Sequence, residues 1–451
     1  MDVFDIVNQL VDRRKVEFTF INSTPWWGGN EFGYTFDDEG NVTIPSANTI
    51  VGKTRWLMRN IIAQILGLNS FDEIDEKYFK DLGTLNAKSK ITVKVIKEEG
   101  EVQPPYYFSK KEAACVFKII KSLDTRNWLG KCLQLNRPPH EQVNDLIPRH
   151  LRNYWNSLNN DIRSFFRYFL IPRFVLVTMG ENDPLFYYHI QPAKPKSVKI
   201  KVEVINNGAD EDFFNFFISS LVFTMKYMGI GKAATRGFGR FILINKPNKH
   251  LEEDLEELIR LGLIIAKRYH GEKAYDLSFC RSVEKIDNPC VFFYKDVVWL
   301  PIYGNDLITY LIAIGNATLK VAWKAAIKGS YRIPGATYHT WTLGLPRSGK
   351  DTGYFIDNED KGRRISYITI SPICDGERCY EIYLIPFVYE DINLRKLKHN
   401  NNKRRAINRI RVETFENNCN LTTNNSMNNV KAYINVTLSW LKFILSGGKQ
   451  C

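Results

Sequence analysis

The chain lacks the long runs and tight clusters that mark several large protein classes. No apolar stretch reaches the roughly twenty residues a membrane-spanning helix needs. The longest, Phe213 to Met225, is interrupted by Asn215, Ser219 and Ser220, and reads as a buried helix. Cysteine is sparse: eight in 451 residues, with no C-x-x-C pair. That excludes a disulfide scaffold and leaves no ligand pairs for structural zinc. Cys374 and Cys379 flank the turn-like Asp375–Arg378 and have the spacing for one hairpin bridge, but reduced thiols are the expectation. The acidic start, Met1 to Asp5, has no long apolar core, so no secretory leader is expected and a cytoplasmic location is. No H-E-x-x-H occurs, and the seven histidines are scattered. We expect no metal and no cofactor. Gly344–Asp351 nearly spells a phosphate-binding G-x-x-x-x-G-K-[ST] loop, but Asp351 stands where a magnesium-binding hydroxyl belongs and would repel phosphate.

Negative charge is also short. Sixty-two lysines and arginines face forty-nine acids, a formal charge of +13. A polyanionic partner follows, nucleic acid first and an acidic protein or membrane surface second. The excess does not speak to base specificity, because phosphate attraction is blind to sequence.

The length suits two domains. Lys15–Ile21, Ile91–Ile96, Phe174–Thr178, Val198–Ile205 and 238–244 read as strands, and Thr49–Leu66, Lys110–Leu123, Asp161–Phe169 and 211–228 as helices. This order predicts a ferredoxin-like unit over 1–247 with a helical insertion at about 70–170. Lys246–Lys249 reads as a linker. In 248–451, Leu251–Ala266 and Asp306–Lys328 (broken near Gly315) read as helices, Arg363–Ile370 and Tyr380–Phe387 as strands, and Met427–Leu445 as a last helix. The fold class expected is α+β, tandem ferredoxin-like (RRM-type) domains. A basic, asparagine-rich segment at about 394–429 reads as a solvated loop or an auxiliary RNA arm.

The richest stretch is Gly229–Arg240. Gly229, Gly231, Gly237 and Gly239 frame Lys232, Arg236 and Arg240 between a helix and a strand. Glycines let a backbone approach a ligand, and interleaved cations meet phosphates. A flexible connector with solvated charges is the bland alternative. A dinucleotide fold puts its glycines between strand and helix, the reverse order. A second glycine–cation site follows the first strand: Thr24-Pro-Trp-Trp-Gly-Gly29, then Lys53, Arg55 and Arg59 in the first helix. Arg55 and Arg59, spaced i, i+4, share a face, whereas Trp56 reads as core. Lys53 near the helix start gains nothing from the dipole, which suggests a nearby anion. Trp26 and Trp27 read as stacking or turn-packing residues, and Asp37, Asp38 and Glu39 as a hairpin tip.

This combination resembles the RAMP superfamily of CRISPR-associated RNA-binding proteins, and within it the first-numbered RAMP subunit of the type III-B (Cmr) effector complex. Thr24, Pro25, Gly28 and Gly29 match that family's turn after the first strand. Ile50, Gly52, Arg55 and Arg59 match its first-helix pattern, and Gly229, Gly231, Lys232, Arg236, Gly237, Phe238 and Gly239 its glycine loop. Trp341–Arg347 and Ile385–Phe387 resemble pieces of its second domain. Val51 departs from the pattern, where many members carry a basic residue.

The resemblance implies a noncatalytic subunit beside the 3′ region of a guide RNA, next to other RAMP subunits, aiding capture of single-stranded target RNA. The expected RNA contacts are Lys53, Arg55, Arg59, Gly229, Gly231, Lys232, Arg236, Gly237, Phe238, Gly239, Arg240, Arg347 and Lys350, with no catalytic residue. Phe238 reads as a base-stacking or core residue, and Arg347 and Lys350 equally as exposed loop charges. A guide-processing endoribonuclease, with His150 as its candidate base, and a structural adaptor without RNA contact are the alternatives.

Overall fold

A computed structural model describes residues 14–28, 33–66, 71–83, 88–98, 104–123, 139–178, 181–244, 251–270, 294–296, 306–318, 353–356, 366, 368–375, 378–386, 397–400 and 410–411. Its first unit is built on β1 (Lys15–Asn22), α1 (Ala47–Leu66), β2 (Ile91–Lys97), β3 (Lys199–Asn206), α9 (Glu211–Phe223) and β4 (Phe241–Leu243). The strands lie in the order β2-β3-β1-β4 with every pair antiparallel. This is the βαββαβ arrangement expected of a ferredoxin-like unit.

Period-two alternation explains the sheet. Phe18, Phe20, Ile200, Val202 and Val204 are buried under the helices. The other face carries Lys15, Glu17, Lys201 and Glu203. Glu17 and Glu203 are directly opposed in register, an arrangement that destabilises a sheet when uncompensated. Lys15 and Lys201 each bridge both carboxylates at 2.6–3.2 Å. These four residues form a lattice of ion pairs, and Lys94 of β2, opposite Glu203 in register, adds an exposed cation to the same face.

Between β2 and β3 the chain leaves the sheet for α3 (Ala113–Ser122), α4 (Pro139–Leu146), α5 (Arg152–Ser157), α6 (Asn160–Phe166), α7 (Pro172–Thr178) and α8 (Pro184–Ile190). The insertion thus occupies 98–198, later in the chain than expected. The helix α2 (Phe71–Tyr78) precedes β2 and packs on α1. Residues 174–178 are helical, not a strand. Pro172 starts that helix, where its missing N–H is harmless. Phe174 then packs edge-on against Phe165 and Phe169. Asp37 to Gly40 do form a hairpin tip, with the Asp37 carboxylate accepting from the Asn41 amide at 2.7 Å.

The helix α10 (Leu251–His270) lies on the first unit, packed against α1 and α9. A Cβ on Gly262 would sit 2.8 Å from Ile61. Lys226 and Tyr227 both reach Asp254, the tyrosine at 2.9 Å. Beyond it come β5 (Tyr294–Asp296), α11 (Leu307–Ala317), β6 (Gly353–Ile356), β7 (Ile368–Asp375), β8 (Arg378–Pro386), β9 (Leu397–Asn400) and β10 (Ile410–Arg411). They form two three-stranded antiparallel sheets, β5-β8-β7 and β10-β9-β6. Among the described residues of this half no second βαββαβ order is traced. The helix α11 runs through Gly315 without a break, because that glycine packs tightly on Ile171. Cys374 and Cys379 are bonded across the β7–β8 hairpin, where reduced thiols were expected. Of the segment 394–429, β9 and β10 are paired strands. The linker at 246–249 and the helix at 427–445 lie outside the described residues.

One side chain ties the insertion's exit to the sheet. Asn22, fully buried at the end of β1, donates to the Thr24 and Lys194 carbonyls at 3.0 and 2.8 Å. Its Oδ1 accepts from the Ser197 and Val198 amides at 3.0 and 2.7 Å. Replacing Asn22 by alanine leaves three buried backbone groups, Thr24 O and the Ser197 and Val198 amides, without this partner, while Lys194 O keeps the Ser197 hydroxyl. We expect a loss of about 3 kcal/mol or more, read as a lower urea midpoint. Asn22→Asp keeps the acceptor but sets a charge against two carbonyls, so it should cost at least as much.

Candidate nucleic-acid interface

The glycine loop emerges from the π-helical turn Thr224–Met228 and folds back over the Thr24–Gly28 turn. Its amides are largely committed within the fold. Ile230 N–H donates to Gly239 O at 2.8 Å, Lys232 N–H to Trp27 O at 2.8 Å and Gly239 N–H to Pro25 O at 2.9 Å, while Arg240 N–H reaches the Thr24 hydroxyl at 2.9 Å. Glycine is required at both ends of this crossing. Gly229 and Gly239 have φ of +67° and +65°. A Cβ on Gly239 would lie 1.8 Å from Ile230 O, and one on Gly229 2.3 Å from the Arg240 guanidinium. Gly237 packs on Leu311 and Pro372, which leaves Gly231 as the exposed glycine of the four.

Two of the three loop cations point inward, contrary to their expected role as phosphate contacts. Arg240 is wholly buried. Its guanidinium donates to Phe238 O at 2.7 Å, Ile370 O at 2.9 Å, the Ser371 hydroxyl at 3.0 Å and Ala234 O. Burial pulls its pKa down to about 9, so it remains charged at neutral pH. Arg236, also buried, donates to Thr235 O at 2.9 Å and to Ser366 Oγ and Ile368 O at 3.3 Å. The backbone joins them there, with Ile370 N–H donating to Thr235 O at 3.1 Å. Both arginines thus hold the loop to β7. Arg240, its donors placed on three carbonyls and a hydroxyl, has no face left for a phosphate, and Arg236 is only 4% exposed. Phe238 is likewise core, packed on Trp27 and Tyr168. Trp26 and Trp27 are turn-packing residues, with indole N–H groups on Thr43 O and Ile190 O at 2.8 Å.

The first helix divides its cations between two directions. Lys53 donates to Gly229 O and, at 3.1 Å, to Met228 O. It therefore caps the carbonyl end of the Thr224–Met228 turn, which leads into the glycine loop, rather than an anion, a favourable place for a cation. Arg55 and Arg59, about 200° and 240° further round the helix at 100° per residue, face α2. There they share the Asp75 carboxylate. Arg55 Nη2 lies 2.9 Å from Oδ2, and Arg59 Nε donates to Oδ1 at 2.8 Å. Two guanidiniums on one carboxylate leave one net positive charge, half-buried. The expected single groove of helix and loop cations is thus not formed through the arginines. Lys53 is the helix cation that meets the loop. Asp75 was missed because α2 seemed to belong to the insertion. Arg347 and Lys350 lie outside the described residues.

Lys232 is the remaining loop cation. Its stem runs between Gly28 and Gly33, and added Cβ atoms there would lie 3.4 Å from its Cγ and 2.9 Å from its Nζ. The ammonium stands 5.8 Å over the Trp27 ring. Among the described residues no carboxylate partners it, and burial lowers its pKa. A phosphate beside it would favour the charged form. With the exposed Gly231 and the left-handed Ala233 (φ +53°), it makes the accessible tip of the loop.

The family model for the RAMP superfamily matches residues 20–242, the span of this sheet, its insertion and the loop. Three solved structures are similar in outline. The type III-B Cmr-beta complex bound to cognate target RNA and AMPPnP in the presence of single-stranded DNA contains a chain at 13% identity and TM-score 0.46, covering 95% of this chain and 100% of that one. A chain of the Cmr-beta complex bound to cognate target RNA shows 14% identity and TM-score 0.41, over 85% and 97%. Apo Cmr1 from Pyrococcus furiosus shows 15% identity and TM-score 0.37, over 82% and 88%. At these scores the three likenesses carry no argument. No curated protein matches the chain. No helix among the described residues is long and apolar enough to cross a membrane.

Two expectations test the inward cations. Arg240→Ala should cost about 3 kcal/mol or more through unpaired carbonyls and a cavity, and Arg240→Lys should rescue little, because an ammonium cannot reproduce the planar fork. Chemical denaturation of both variants checks this. Lys53 gives a pH signature. Burial, with Arg240's charge second, lowers its pKa from 10.5 to about 7. Below pH 7 folded and unfolded chains both hold the proton. Between about pH 7 and 10.5 only the unfolded chain does, so this residue's contribution to stability rises with pH. Lys53→Met should flatten that rise across the same window.

Proposed function

We propose, from the premise that this chain carries a RAMP superfamily domain over residues 20–242, that it is a noncatalytic RNA-binding subunit of a type III-B CRISPR effector complex. Its partners on this reading are guide RNA, single-stranded target RNA and neighbouring RAMP subunits, in the cytoplasm. It contacts the 3′ region of the guide and aids target capture. The observation that carries the RNA contact is Lys232: a half-buried ammonium without an acidic partner among the described residues, poised over Trp27 at the tip of a rigid loop. A ribose-phosphate strand supplies an anion and is accessible when single-stranded.

The inward course of Arg236 and Arg240 favours one other reading, an adaptor whose loop serves only to join the two halves. The two readings part on Lys232→Ala, which should leave thermal stability nearly unchanged. If RNA lies at the loop tip, single-stranded RNA affinity falls several-fold and the slope of log affinity against log salt drops by about 0.7, one phosphate contact. Unchanged affinity and slope, with RNA crosslinks absent from 229–240, would establish the adaptor.

A further inference from the structure

The side chain of Lys232 lies in a slot whose two walls are glycine α-carbons. A Cβ on Gly28 would meet its Cγ at 3.4 Å and its Cδ at 3.6 Å, which is ordinary contact. A Cβ on Gly33 would meet its Cε at 2.8 Å and its Nζ at 2.9 Å, well inside the roughly 3.5–4.0 Å at which carbon atoms pack. Gly33 therefore stands against the charged end of the lysine, the part a phosphate would meet.

The walls of the slot are pinned. Gly28 N–H donates to the hydroxyl of the buried Thr35 at 3.1 Å. Thr35 N–H donates to His189 O, and Thr43 N–H to Thr35 O, both at 2.8 Å. Trp26 exchanges both backbone hydrogen bonds with Ala193, at 3.1 and 2.7 Å. The root of the lysine is fixed as well, through its own N–H on Trp27 O at 2.8 Å. With walls and root held, a side chain at position 33 is accommodated by moving the ammonium. Gly208 offers the contrast: it too is left-handed (φ +102°), but nothing lies within 4 Å of an added Cβ, so a substitution there strains the backbone alone.

We infer that Gly33 is a positioning residue for RNA: by lacking a side chain it keeps the end of the slot open and so sets where the Lys232 ammonium meets a phosphate. This role rests on the RNA contact proposed for Lys232, and it falls to a residue outside the glycine loop that no matched motif covers. A lysine already confined by its slot has given up rotamer freedom before the strand arrives, so the contact costs less entropy to form. A lysine pushed out of the slot loses that advantage and its aim.

The test is a double-mutant cycle on single-stranded RNA affinity, read by anisotropy of a fluorescent oligomer with the full chain across a salt series. Gly33→Ala should weaken binding to the extent that Lys232→Ala does, and lower the log–log salt slope by up to about 0.7, one phosphate contact. In the Lys232→Ala background the same substitution should change neither. Gly33→Asn brings a Cβ on a residue that tolerates positive φ, and should repeat the result with a smaller drop in thermal midpoint. Gly208→Ala should lower the thermal midpoint and leave RNA binding at the wild-type level. Normal binding by both Gly33 variants, with Lys232→Ala impaired, would overturn the positioning role and leave the loop contact standing. Equal losses with and without Lys232 would overturn it too, because Gly33 would then act on the fold as a whole. If Lys232→Ala itself binds like wild type, the RNA-binding reading fails and the positioning role goes with it.

Discussion

The buried guanidinium of Arg240 is the interaction on which the rest of this architecture depends. It receives its place from the Thr24 turn and closes the glycine loop through the Ala234 and Phe238 carbonyls. Its far side joins that loop to β7 through Ile370 and Ser371. A charge without a carboxylate in a dry interior is costly unless every donor finds an acceptor. Here the backbone supplies most of them. The glycines follow from this arrangement, since a side chain at 229 would collide with the guanidinium itself. The loop's rigidity, and hence the fixed position of Lys232 at its tip, is a by-product of the clamp beneath it.

Much of the first unit was legible in the sequence. Alternation in β1 and β3, the periodicity of Thr49–Leu66 and the apolar helix before the glycine loop locate the sheet and both of its covering helices. The twelve-residue glycine–cation pattern locates the loop, and Trp56 falls in the core as its helical position implies. The hairpin tip at Asp37–Gly40 follows from local turn chemistry, which distant residues rarely overrule.

What stayed illegible was the direction of each cation. Arg236, Arg240 and Lys232 are equivalent as sequence, yet two face β7 and one does not. That choice is made by a strand more than 120 residues later, whose carbonyl edge no local pattern announces. Arg55 and Arg59 share a face, as their spacing requires, but the face meets Asp75 because α2 packs there. The Phe174–Thr178 run is β-prone by composition and helical in fact. Pro172 and the surrounding rings of Phe165, Tyr168 and Phe169 decide it.

The register of the sheet also has a bearing on how the polypeptide is made. β1 is hydrogen-bonded only to β3 and β4, so Lys15 waits for Ile205 and Phe20 for Ile200. β2 pairs with β3 alone, Ile91 with Asn206. No strand of the first unit therefore has a neighbour until synthesis passes residue 199. At ribosomal speeds of about 5–20 residues per second, the nascent N-terminus spends on the order of ten seconds or more with two unpaired β segments. The insertion's helices, rich in short-range contacts, can form in that interval. The order of assembly is then the reverse of the order of architecture, with the elaboration standing first and the sheet it interrupts closing around it.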